Sequence, residues 1–408
     1  MKRFSQLILL LLCFCSAKTQ AQDFDSTGIS RERLKYYLKR AVTMAEFLAV
    51  DPYANDGPYP YKKDDLRLIH HIGAKFIGRA IYRWGKEAEL ANPDFFNQAA
   101  GLIKEVHQKD PEVIFQAAVF ECITTQVNQL AVPDWAFQAL GQPVEKRNFR
   151  YNDMLNTKGK FVNHWGNNSA VPDITRPEAQ LWLMYLCGMY MNLGCEALHL
   201  GQVALMGMED PELRVWDAFI QKVRKYAKTH TAHHWVLLDA HTPKGGMVVD
   251  GKSLLDFNSF PLRIKEIPGR PMDGVLQVGY LDAIFQRSMA CTTPSGWNCD
   301  MLPYLVEFDN FGISDQPGVA DTASHFIWGY DEVSWFYLLP EKKRNAWLRY
   351  ASHWVVAHDR TGWLQMPVSR IITLNDGSSM NRFRGNIRSK DCPIGVNVEQ
   401  TIKKIWNQ

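Results

Sequence analysis

Short apolar runs recur along the chain, and most of them end abruptly in a polar or charged residue. The clearest is Trp235–His241, WVLLDAH, where Val236, Leu237 and Leu238 lead directly into Asp239 and His241. Seven further runs share this form: Lys75–Trp84, Val113–Ile123, Cys195–Val203, Leu254–Ile264, Tyr304–Gly312, His325–Phe336 and Trp363–Ile371. Each reads as a buried strand, because its apolar residues are nearly continuous. Helical spacing predicts helices over Arg31–Leu48, from Asn92-Pro93 onward, within Pro133–Arg150, over Arg176–Asn192, Pro211–His230 and Pro340–His358, and in a shorter stretch over Gly279–Ser288. Asn92 and Pro93 suit a helix start, and Gly194 suits a helix end.

Apolar strands alternating with helices predict a parallel sheet covered by helices. Eight such units are the number that closes a (β/α)8 TIM barrel. Neither G-x-G-x-x-G nor a P-loop occurs, which argues against a nucleotide-binding open sheet. The expected organisation is a signal peptide over 1–21, an N-terminal helix and lead-in loop over 22–74, the barrel over 75–375, and a C-terminal tail over 376–408 that packs on it. Between the fourth and fifth expected strands, Gly245-Gly246 leaves little room for a helix, and a hairpin is expected there instead.

Composition narrows the class. Hydrophobic residues make up 46% and charged residues 22% of 408, which supports a large core and opposes disorder. The net charge of +3 offers no argument for a nucleic-acid partner. Thirteen Trp is a high number; a single Trp suits core packing first, and the excess as a set suits the flat apolar faces of sugar rings. Lys2-Arg3, the apolar run Leu7–Ala17 and the small residues near Ala21 read as an export leader. No membrane span is expected after its removal, and the location expected is periplasmic or extracellular. No cysteine spacing suggests zinc. Cys291 and Cys299 flank a Thr-Thr-Pro-Ser-Gly-Trp-Asn turn and are the pair most suited to oxidation.

Strand alternation then selects the side chains that face the barrel axis. At the strand exits it gathers Glu121, His199, Gln202, Asp239, His241, Asp256, Asn258, Glu307, Asp309 and Asp331. Carboxylates that pair with Arg79, Arg83, Arg263 or Arg370 would be structural. Otherwise, burying so many acids costs several kcal/mol each, a cost that suggests function. Two carboxylates beside aromatic rings fit glycoside hydrolysis, with one protonating the leaving oxygen while the other attacks or activates water. The expected pair is Asp239 as nucleophile or base and Glu307 as acid, with Asp309, Asp331 and Glu121 as further candidates. Arg79, His199, Gln202, His241, Asp256, Asn258, Trp297, Trp328 and Tyr330 are the expected substrate contacts, with Trp84 and Trp335 as further platform candidates.

On these residues the chain resembles the secreted TIM-barrel glycoside hydrolases at superfamily level. Asp239-Ala240 is loosely similar to the fourth-strand nucleophile region of amylase-like barrels, although Asp331-Glu332 stands where those barrels carry His-Asp. The resemblance implies an oligosaccharide or polysaccharide substrate and no cofactor or metal. Three other readings stay open on the same barrel. His199, His241, Asp239 and Asp309 could assemble a metal-dependent hydrolase. Tyr82, Tyr330, Arg79 and His199 could serve a polysaccharide lyase. A glycan-binding barrel without turnover is the third.

Overall fold

Eight parallel strands form a ring in the computed structural model, which describes residues 24–49, 60–242, 245–283, 285–286, 288–321, 326–373 and 380–408. They are β1 (Ala41–Met44), β2 (Phe76–Ile81), β3 (Ile114–Ala118), β4 (Ala197–Gln202), β5 (Leu237–His241), β6 (Asn258–Pro261), β7 (Tyr304–Glu307) and β8, which runs as Gly362–Leu364 and then Met366–Thr373. Neighbours pair in that order from β1 to β8. The ring closes because β8 serves two partners. Its first half pairs with β7, at Val306 and Leu364, and its second half with β1, at Met366 and Val42. Gln365 sits at the join. Its backbone N–H donates to Val306 O at 2.8 Å, and its Nε2 donates to Val42 O at 3.2 Å. The fold is therefore a (β/α)8 barrel.

The strand count is as expected, but two members differ. The helix predicted over Arg31–Leu48 spans only Arg31–Lys39, and β1 follows at once. Leu34, Tyr37 and Leu38 make its buried face, and Ala41 continues the same spacing, which disguised the change of element. The barrel thus begins at Ala41 rather than at 75. The predicted strand over His325–Phe336 is absent among its described residues. Asp331 instead caps a helix, Glu332–Leu338, by accepting from Ser334 N at 2.6 Å. The fifth expected strand, Leu254–Ile264, shrinks to Asn258–Pro261.

Helices cover part of the ring. Pro93–Lys109 starts where Asn92 Oδ1 accepts from Asp94 N at 3.0 Å, and Pro177–Leu193 ends at Gly194, whose φ is +112°. Arg214–His230 and Glu341–His358 continue the layer. After β5, residues Val248–Val249 and Lys252–Ser253 pair antiparallel, giving the expected hairpin in place of a helix. The described residues of Gly279–Ser288 form turns, not a helix. The C-terminal part packs on the barrel: β9 (Met380–Arg384) extends β8 antiparallel, and Glu399 in the last helix pairs with Arg67 at 2.6 Å. Among the described residues no helix is long and apolar enough to cross a membrane. The leader region 1–21 lies outside the described residues.

Two layers fill the ring. At the amino ends of the strands, Ala41, Phe76, Ile114, Ala197, Leu237, Leu305 and Trp363 form one apolar cluster with Phe24, Ile29, Leu34, Tyr37 and Leu38. The N-terminal segment thus plugs that end with apolar area, which favours folding by about 25 cal/mol per Å². The carboxyl end carries the polar layer and lies open.

Candidate active site

The polar layer arises from strand alternation. Leu237 belongs to the apolar plug, so Asp239 and His241, two and four residues on, face the same interior. Ile114 likewise places Gln116 inside, and Leu305 places Glu307 inside. β2 departs from this pattern. Its register slips between Ile77 and Ile81, and Arg79 takes a left-handed φ of +55°. Such a bulge costs energy and redirects a side chain. Here it is held by Arg79 N donating to Gln116 Oε1 at 3.0 Å, and it aims the guanidinium at the barrel floor.

The floor is a dense charged network. Arg79 donates to both oxygens of Glu307, with Nε at 2.8 Å from Oε2. Arg370 Nη1 donates to Glu307 Oε2 at 2.9 Å, and His241 Nε2 lies 2.8 Å from Glu307 Oε1. Glu307 is 2% exposed, and burial alone would raise its pKa. The guanidinium groups of Arg79 and Arg370 outweigh that and hold it well below the usual carboxylate range. A carboxyl held so firmly ionised does not suit the acid role expected of Glu307.

Asp239 lies beneath the cavity and does not line it. Its carboxylate accepts from Gln116 Nε2 at 2.6 Å, Ser259 Oγ at 2.5 Å and His199 Nδ1 at 2.7 Å. With its oxygens so engaged and 0% exposed, it orients His199 rather than meeting a substrate. A carboxylate can only accept, so His199 Nδ1 carries the proton and Nε2 holds the lone pair, 3.4 Å from Arg79 Nη2. Burial, then Arg79, lower the pKa of His199 and keep the ring neutral.

A cavity of about 760 Å³ opens above this floor. Its wall includes Glu121, Gln202, Asp309, Arg263, Asp282 and the rings of Tyr82, Trp84, Phe120, Trp165 and Phe311. Glu121 follows β3, and its Oε1 and Oε2 accept from Gln202 Nε2 and N, both at 2.8 Å. Asp309 follows β7 and accepts from Arg263 Nη2 at 3.1 Å. Burial would raise the Asp309 pKa, but Arg263, His241 and Arg370 overcome it and keep the group ionised. Trp84 meets Phe120 and Trp165 edge to face, at 5.3 and 5.0 Å between centroids. Trp165 is fixed by donating from Nε1 to Glu121 O at 3.0 Å.

The structure therefore brings Arg79, Glu121, His199, Gln202, His241 and Asp309 to one cavity, with Asp239 and Glu307 under it. It carries the other expected residues elsewhere. Asp256 precedes β6, at the amino end, where Arg224 and Trp235 bond it. Asn258 points out of the ring and donates to Gly245 O at 2.8 Å, because Ser259 takes the inward place. Trp297 packs under the amino end, donating to Ile29 O at 3.0 Å. Trp328 donates to Asp273 O at 2.8 Å, Tyr330 is buried in a bridge with Ile327, and Trp335 is wholly buried. Asp331 is engaged by Ser334. Gln116, Ser259, Phe120, Trp165 and Phe311 are site residues absent from the expectation. Alternation from Ile114 would have found Gln116, whereas Trp165 sits in a loop with no periodic signal.

Two consequences are measurable. Gly201 has a φ of +61°, and a Cβ there would lie 2.1 Å from Glu121 Oε2. Gly201→Ala is expected to cost about 1–3 kcal/mol of stability and to displace the Glu121 carboxylate. Thermal melting reads this, and an alanine variant that melts with the wild type would refute it. Burial raises the pKa of Asp331 to about 8 from its ordinary 3.8. The folded chain then keeps a proton that the unfolded chain releases, so stability falls as pH rises through that window. Asp331→Asn has no titrating proton, its Oδ1 can still accept from Ser334 N, and its Nδ2 can donate to Ser334 Oγ. Its melting temperature relative to wild type is expected to climb between those two pH values, and a flat difference would refute the assignment.

His199, His241 and Glu307 also offer ligand atoms within 4.8 Å of one another, close enough for a cation. Arg79 and Arg370 already neutralise Glu307 there, so a divalent ion would face two guanidinium groups at short range.

No protein-family model matches this chain, and no curated protein does. Among solved structures, a native debranching enzyme from Nostoc punctiforme is similar at 11% identity and a TM-score of 0.45, over 91% of this chain and 80% of that one. An α-galactosidase from Thermus thermophilus gives 16% identity and 0.32, over 53% and 40%. A trehalose-6-phosphate hydrolase from Bacillus licheniformis gives 11% and 0.31, over 50% and 45%. All three likenesses are remote, and the chemistry has to come from the site itself.

Proposed function

We propose that this protein is an exported glycoside hydrolase in which Asp309 is the ionised carboxylate and Glu121 the proton donor. One observation carries this reading: Glu121 and Asp309 open into one cavity from the β3 and β7 ends, beside an aromatic wall. Glu121 would protonate the leaving oxygen while Asp309 attacks the anomeric carbon or takes a proton from water. Trp84, Phe120 and Trp165 offer faces and edges for sugar rings. Arg263 and Arg370 keep Asp309 charged, so it is ready as nucleophile or base.

A second reading has its own support. Asp239 orients a neutral His199 whose Nε2 stands beside Arg79, the arrangement a lyase uses to remove a proton next to a carboxylate-bearing carbon. One screen separates the two. The protein is incubated with a panel of neutral and acidic polysaccharides, and new reducing ends and ultraviolet absorbance are followed together. Reducing ends without absorbance support hydrolysis, and both signals together support elimination. Binding without either signal on the panel would overturn both in favour of a glycan-binding barrel.

A further inference from the structure

We infer that Cys291 and Cys299 form a reversible disulfide that staples the hairpin clamping the N-terminal segment beneath the barrel. The two residues are direct cross-strand partners on the antiparallel pair Cys291–Thr292 and Asn298–Cys299. Their Sγ atoms lie 3.8 Å apart as thiols. Directly opposed residues on antiparallel strands have Cα atoms about 4.5–5.5 Å apart, within the range a disulfide spans. A disulfide would bring the two sulfurs from 3.8 Å to about 2.0 Å.

The hairpin between these cysteines grips the N-terminal segment at three points. Ser295 Oγ accepts from Ile29 N at 2.9 Å, and Trp297 Nε1 donates to Ile29 O at 3.0 Å. Arg31 lies 5.0 Å over the Trp297 ring and donates to Asn298 O. Ile29 belongs in turn to the apolar plug under the strands. A covalent bond across the base of this hairpin would therefore hold the plug's outer clamp.

The other cysteines are placed differently. Cys122 lies 3.4 Å from Ser169 Oγ, and Cys187, Cys195 and Cys392 are buried, which raises their pKa values. Cys299 is half-buried where Cys291 is buried, and its contact with Cys291 lowers its pKa. As the more exposed of the two, Cys299 is the thiol that meets an oxidant first, and it reacts as its thiolate. It attacks a disulfide-bearing oxidant, such as oxidised glutathione, forming a mixed disulfide and expelling one thiol. Cys291 then gives up its proton and attacks Cys299 Sγ, expelling the second thiol. Two thiols are oxidised, and one oxidant disulfide is reduced.

The test uses the full chain incubated with reduced or oxidised glutathione, then alkylated with iodoacetamide in denaturant, digested and mapped by mass spectrometry. The expected result is a Cys291–Cys299 crosslink in the oxidised sample, with Cys122, Cys187, Cys195 and Cys392 alkylated. Alkylation of both residues after oxidation, or a link from either to another cysteine, would overturn the pairing. Oxidised protein should melt about 2–4 °C above reduced protein, a gap that vanishes in Cys291→Ser and in Cys299→Ser. Limited proteolysis checks the clamp independently. Cleavage within 24–31 should slow on oxidation, and equal cleavage in both states would overturn the stapling role.

Discussion

Asp309→Asn is expected to reduce sugar release by roughly 10³-fold or more, on natural and activated substrates alike. The change removes the charge and leaves the volume, so the cavity keeps its shape. Arg263 loses one partner but retains Glu332, at 2.9 Å, and Asp282. The fold should therefore survive, which circular dichroism and melting would check. Glu121→Gln should behave differently. Removing the proton donor should slow cleavage of a sugar leaving group by about 10²–10⁴-fold. A phenol leaves without protonation, so an activated aryl glycoside should be spared most of that loss. The contrast between the two variants assigns the roles. If Asp309→Asn turned over within tenfold of wild type on both substrates, Asp309 would not be the nucleophile or base.

The largest stability loss is expected from Glu307→Gln, about 3–5 kcal/mol by chemical denaturation. Glu307 is the shared counter-charge of Arg79 and Arg370 in a buried floor, with His241 as a further partner. Glutamine fills the same space but leaves two guanidinium groups facing each other without it. The pH dependence follows from the same pairing. The folded pKa of Glu307 lies well below its ordinary 4.5, so its contribution is complete above that value. It is lost as pH falls from about 4.5 toward the folded pKa. Wild type should thus converge on Glu307→Gln in acid and separate from it near neutrality. A stability difference that stays constant from pH 7 to pH 3 would show that the ion pairs contribute little and that packing sets the loss.

Much of the barrel could be read from the chain because a buried parallel strand needs apolar residues on both faces and a helix needs them on one. Ile114–Ala118, Ala197–Gln202, Leu237–His241 and Tyr304–Glu307 all lie inside runs that stand out for that reason. β1 did not stand out. Four residues directly behind a helix do not break its spacing, and only pairing with β2 and β8 makes Ala41–Met44 a strand. The opposite error arose at 325–336, where Trp328, Tyr330 and Trp335 are apolar for packing and Asp331 caps a helix.

The candidate site divides along the same line. Period-two alternation is a local property of the backbone, so the inward direction of Asp239, His241 and Glu307 was determined by the sequence. What each inward group does was decided by its neighbours across the ring. Glu307 meets Arg79 and Arg370 from residues 228 and 63 positions away, and Asp239 meets Gln116 and Ser259 from 123 and 20. Those pairings hold Asp239 and Glu307 below the cavity, whereas Glu121, bonded by Gln202, and Asp309, bonded by Arg263, reach its wall. Proton affinity and access depend on charges and solvent within a few ångströms, and strand order alone brings such distant residues that close.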